Sequence, residues 1–162
     1  MREIKFRGWN PKNKCWLHGF YLMNRGAHFV CPDEFAHGKS WDDYEILPET
    51  LGQFTGLRDE FEKEVFDGDI IILDGAPEFG KRVIVYYEEA FNIATRKEYD
   101  SLMAGAHPYL NDYAHMTCLN EWSNSGLVRV IGNIHDNPEL LEQREQCELA
   151  QTLPSRDKSQ QS

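Results

Sequence analysis

The run Ile70-Ile71-Ile72-Leu73 constrains this chain more than any other feature. Four β-branched or aliphatic residues in succession, closed by Asp74-Gly75, predict a strand buried on both faces. The preceding Asp67-Gly68-Asp69 predicts a tight turn. Gly68 takes positive φ there, and the flanking carboxylates bond nearby backbone N–H groups. An earlier apolar run, Leu51, Phe54 and Leu57, is interrupted by Gly52 and Gly56 and joined to the second by a charged link. A turn feeding a hydrophobic strand in this way predicts a small SH3-like or related β-barrel, built around residues 51–95 and 127–135.

The rest of the chain adds mostly strands. Ile4 and Phe6 alternate with Glu3, Lys5 and Arg7, which predicts a half-buried strand with a basic outer face. On that reading Lys5 and Arg7 guard an exposed edge. Asn10 to Lys14 is a turn cluster, and Cys15 to Met23 returns as the second strand of a hairpin. Ala27 to Cys31 and Tyr44 to Leu47 are strand-sized, with Trp41 and Tyr44 read as aromatics at the edge of a core. Lys81 to Tyr87 and a partner around Phe91 and Ile93 flank a Glu88-Glu89 turn. A short helix is expected over 96–105 and a closing strand over 127–134. Asn137 as N-cap and Pro138 at the first helical position predict a C-terminal α-helix to about Ala150. The whole reads as one mainly β domain over residues 1–150, followed by a disordered polar tail, 151–162.

Four segments carry a resemblance. They are Met1 to Arg7, Gln53-Phe54-Thr55-Gly56-Leu57, Asp67-Gly68-Asp69-Ile70-Ile71, and Val130 to Leu141, which includes Gly132-Asn133-Ile134-His135-Asp136-Asn137. In this order the chain resembles the YopX-like family of bacteriophage and prophage proteins. It departs from the family pattern at Glu60-Phe61-Glu62, where an Asn-Gly turn is usual. The resemblance implies a β-rich fold and a phage context, and brings no established activity.

Composition narrows the function classes. A formal charge of −10, from 27 acidic and 17 basic residues, repels phosphate backbones. The exception is the start of the chain, where Arg2, Lys5, Arg7, Lys12 and Lys14 face Glu3 alone. Cys15, Cys31, Cys118 and Cys147 are scattered and read as buried or free thiols. No apolar run approaches the roughly 20 residues of a spanning helix, and a cytoplasmic location is the expectation.

Chemical motifs are sparse. Asp67 and Asp69 could hold Mg²⁺ or divide acid and base roles, although the turn uses the same residues. His28-x-x-Cys31 and His115-x-x-Cys118 share a spacing that, doubled, would complete a zinc shell; residues three apart on a strand face opposite sides, which argues against it. The serines lack a histidine and carboxylate arrangement. The expectation is a non-enzymatic accessory protein without cofactor or metal, binding a host or phage protein in the host cytoplasm and capable of homo-oligomerisation. Its alternatives are a metal-dependent hydrolase using Asp67 and Asp69, and a nucleic-acid-binding barrel using the basic N-terminal strand.

Overall fold

The computed structural model describes residues 3–32, 38–74, 77–106, 117–118 and 128–144. Among them, ten strands form two five-stranded antiparallel sheets. The first sheet contains β1 (Phe6–Asn10), β2 (Cys15–Asn24), β3 (Ala27–Cys31), β4 (Gly52–Arg58) and β5 (Glu64–Phe66), in the order β3-β2-β1-β4-β5. The second contains β6 (Asp69–Leu73), β7 (Arg82–Tyr87), β8 (Ala90–Ala94), β9 (Thr117–Cys118) and β10 (Val128–Asn133), in the order β10-β6-β7-β8-β9.

The second sheet follows its hydrophobic pattern. Ile70 and Ile71 are both fully buried, on opposite faces of β6. Ile71 and Leu73 pack with Val65, Ile84, Phe91, Ile93 and Val128, while Ile70 joins Val83 and Leu141. After β8, α1 (Arg96–Met103) starts at a capping box in which Thr95 and Glu98 satisfy each other's backbone N–H groups. No helix among the described residues is long and apolar enough to cross a membrane.

In the first sheet β2 serves two partners. Its first half pairs with β1 and its second half, Phe20 to Asn24, with β3. The switch is at Gly19, where φ is +152° and a Cβ would collide with the Cys31 carbonyl oxygen. The outer edge of β3 is covered by residues 44–46: Val30 N–H donates to the Tyr44 carbonyl and Ile46 N–H to that of His28. Tyr44 is buried and Trp41 exposed, its ring edge-on to Phe29.

Several expectations are corrected. No closed barrel over residues 51–95 and 127–135 is found among the described strands: β4 and β5 join the N-terminal hairpin, while β6, β7, β8 and β10 lie in the other sheet. One place where the sheets meet is at Asp59, which caps β10. Its carboxylate accepts from Phe61, Lys63 and Val130 N–H, and Glu60 N–H donates to the Val128 carbonyl. β1 is a central strand and not an edge, with buried residues on both faces, Arg7 on one and Gly8 and Asn10 on the other, in place of a basic outer face. Arg7 is 7% exposed and Ile4 62%.

The C-terminal segment is a 3-10 helix over Pro138–Arg144, with Leu140 N–H bonded to the Asn137 carbonyl. It sits close against Gly132, where a Cβ would lie 2.6 Å from Asn137 Oδ1 and 2.9 Å from Leu140 Cδ1. Contacts to β10 thus set its path, and the residues expected to extend an α-helix, 145–150, lie outside the described ones. So does the tail, 151–162.

Candidate functional site

Arg7 is the centre of the polar chemistry in the described residues. It lies opposite His18 in the β1–β2 register, two residues from the Trp9–Trp16 pair, so these side chains share one face of the sheet. The guanidinium carbon sits 5.0 Å from the centroids of both the Trp16 and Phe66 rings, within the range of favourable cation–π contact. Nη1 lies 2.6 Å from Asp69 Oδ1, and Nη2 donates to the Asp67 carbonyl at 3.2 Å. Asp69 is 1% exposed, and its other oxygen accepts from Phe66 N–H at 2.8 Å. Burial pushes the Asp69 carboxyl up, against the pull of the Arg7 charge and that hydrogen bond.

The turn residues converge on the same place. Asp67 N–H donates to the Gln53 carbonyl, Gly68 N–H to that of Ile84, and Ile134 N–H to that of Gly68. Gly68 has φ of +81°, as its turn requires, with Ile134 above it. At Gly52 a Cβ would stand 2.5 Å from the Asp67 carbonyl oxygen. Asn133 receives His135 and Asp136 N–H on its side-chain oxygen and donates to Asp136 Oδ2, which also accepts from Trp16 Nε1 at 2.8 Å. All four segments that carry the family resemblance therefore meet at this junction between the sheets.

The two aspartates do not converge on a common point. Asp69 faces Arg7, while the Asp67 carboxylate accepts from the backbone N–H groups of Tyr86 and Gly68. Burial pushes Asp67 up to about 6 despite those bonds and the nearby Arg7 charge. A hydrolytic metal needs carboxylates that share a ligand position and reach solvent. Asp69 offers neither.

The basic N-terminal residues are largely neutralised. Lys5 pairs with Glu64 at 2.8 Å, Lys12 with Asp43 at 3.0 Å, and Arg7 is enclosed. Arg2 lies outside the described residues. Partial burial, then the Lys5 and Arg7 charges, lowers the pKa of His18, whose ring packs on Phe66. His135, beside Trp16, is lowered by partial burial and by Arg7. His28 is hydrogen-bonded to the Tyr21 hydroxyl at 2.8 Å, and Cys31 is a buried free thiol. His115 lies outside the described residues, and Cys118 belongs to β9 in the other sheet. No group of three metal-ligating side chains occurs among the described residues.

A second feature lies at the start of β1. Residues preceding Phe6 follow β4, with Phe54 N–H donating to the Lys5 carbonyl, whereas β2 beyond Gly19 follows β3. The divergence opens a groove of about 440 Å³ between Glu3, Ile4 and Lys5 on one side and His18, Gly19, Phe20 and Pro32 on the other. Beside it Phe20 is 59% exposed, Leu22 42% and Met23 61%.

Sequence reasoning missed Arg7, because it assigns a strand's charges to solvent. The available signal was the pairing of Arg7 with Asp-Gly-Asp within the resemblance itself: a tight glycine turn beside a buried strand leaves a carboxylate that needs a cation.

A family model described as YopX protein matches residues 5–142. Among solved structures, the crystal structure of protein EF1440 from Enterococcus faecalis is similar, with a TM-score of 0.50 at 25% identity, covering 87% of this chain and 99% of that one. No curated protein matches. With its four motif segments joined at one junction and the family model spanning most of its length, the chain belongs to the YopX family.

Proposed function

We propose that this chain is a phage or prophage accessory protein that acts as a non-enzymatic binding module in the host cytoplasm. One observation carries the reading. The residues with chemical potential are committed to holding the fold, while large apolar side chains stand exposed at one end of the first sheet. Asp69 and Arg7 neutralise each other in the interior, and Lys5 and Lys12 are paired. Ile4 and Phe20, which line the groove, and Leu22 and Met23 further along β2 remain in solvent. Exposed apolar side chains on this strand fit a protein partner better than a nucleic acid, which the net charge of −10 also repels. The reading treats residues 1–150 as one domain and the following polar residues as a tail. An SH3-like relationship of the β body stays within this proposal.

Affinity capture with the tagged chain during phage infection tests it. A partner retained by the native chain and lost with Leu22→Lys is the expected result; retention unchanged by that substitution contradicts the assignment of the surface. The hydrolase alternative is tested by a phosphoesterase screen in Mg²⁺ and Mn²⁺. Activity that disappears in Asp67→Asn would restore it.

A further inference from the structure

We infer that the free edge of β2, from Phe20 to Asn24, pairs antiparallel with the same edge of a second copy of this chain. The inference rests on the binding-module reading and names its partner.

Strand β2 bonds to β3 on one side over these five residues. Among the described residues no strand pairs on its other side, where the groove separates it from the residues preceding β1. An unpaired strand edge presents a row of backbone donors and acceptors, which other proteins blunt with lysine, proline, bulges or a covering segment. This chain covers two other edges: residues 44–46 lie along β3, and Asp59 and Glu60 along β10. The β2 strand itself carries no such guard beyond Phe20, whose side of the groove faces Glu3 and Lys5. From Trp16 to Asn24 there is no Asp, Glu, Lys or Arg, in a chain that carries 44 such residues in all.

Charge argues for a copy of the chain as occupant. A net charge of −10 opposes self-association in general, and the uncharged stretch of β2 is where two copies meet at the least electrostatic cost. Antiparallel pairing centred on Leu22 uses all five free residues. It places Leu22 opposite Leu22 and Phe20 opposite Asn24, and opposes no like charges. Phe20 and Leu22 would then be covered on one face of the joined sheet and Met23 on the other.

Light scattering on the full chain at increasing concentration tests the inference. A mass approaching twice the 18.9 kDa of one chain is expected. Leu22→Lys places like charges opposite each other at the two-fold axis and should weaken self-association by at least about tenfold, with an unchanged melting temperature at dilutions where both chains are monomeric. Phe20→Lys alone should also weaken it, and Phe20→Lys combined with Asn24→Glu should restore it. Phe61→Lys, at an exposed aromatic on the β4–β5 turn, should leave the mass unchanged. A dimer indifferent to Leu22→Lys overturns the inference. A chain that stays monomeric also overturns it, and capture then separates the two readings. A foreign partner lost with Leu22→Lys preserves the binding module, whereas capture indifferent to that substitution removes both.

Discussion

The two sheets are built on opposite terms. In the second, β6 is covered on both faces by aliphatic and aromatic side chains, and Ile70, Ile71, Val83 and Ile84 are all fully buried. In the first, a guanidinium occupies an interior position while Phe20, Leu22 and Met23 stand in solvent. The contrast separates two tasks. The second sheet holds the fully buried aliphatic residues of β6 and β7, although Val30 and Val65 of the first sheet are buried as deeply. The first anchors to it through a buried ion pair, a few backbone bonds and the packing of Val65 and Leu57 into its core, and leaves Phe20, Leu22 and Met23 at the surface. Arg7 can be buried because two ring faces and Asp69 replace its water.

Removing one side of the ion pair should have the largest effect. Asp69→Ala leaves the Arg7 charge uncompensated in the interior and is expected to cost about 3–5 kcal/mol in urea unfolding. Truncating the two apolar regions should then divide them. Ile71→Ala opens a cavity in the second sheet and should cost about 2–5 kcal/mol, whereas Leu22→Ala, at an exposed position in the first, should cost under about 1 kcal/mol. Equal losses would mean that the hairpin end is part of the core.

Asp67 sharpens the comparison through pH. Its carboxyl is raised to about 6 in the folded chain, so the folded state binds the extra proton, and stability from this group grows as pH falls through that value. Above it, the buried charge is a cost. Asp67→Asn should therefore raise stability near neutral pH by on the order of 1–2 kcal/mol, and the gain should shrink as pH falls toward about 4. His18 and His135 act in the other sense. Their lowered pKa values remove stability as pH drops below the ordinary histidine range. With Asp67 replaced, the acid limb of the profile should be steeper than in the native chain.

The smallest effect is expected at the β7–β8 turn. Glu88 and Glu89 both adopt positive φ, +48° and +66°, in a two-residue hairpin loop that favours Asn-Gly. Replacing the pair by Asn-Gly should stabilise the second sheet by roughly 1 kcal/mol, read as a rise in melting temperature.

The second sheet was legible because its signals are local. Four aliphatics in a row, the Gly68 turn, the apolar run in β7 and the helix after Thr95 each act over a few residues. The first sheet was less legible because its decisive partners are distant in sequence. Nothing near Arg7 announces Asp69, and nothing in Gly52 to Arg58 shows that this segment pairs with β1 in place of β6. The resemblance located the junction's segments without giving their geometry. The Asp59 cap on β10 and the 3-10 path after Pro138 likewise depend on contacts with strands formed elsewhere.

The account rests on Arg7 and Asp69 acting as one unit between the sheets. A double-mutant cycle with Arg7→Met, Asp69→Leu and the pair together, followed by urea unfolding, tests this most directly. Each single change should destabilise by about 3–5 kcal/mol, because it strands the other charge, and the double variant should return close to native stability. Single changes that each cost under about 1 kcal/mol and simply add would contradict it.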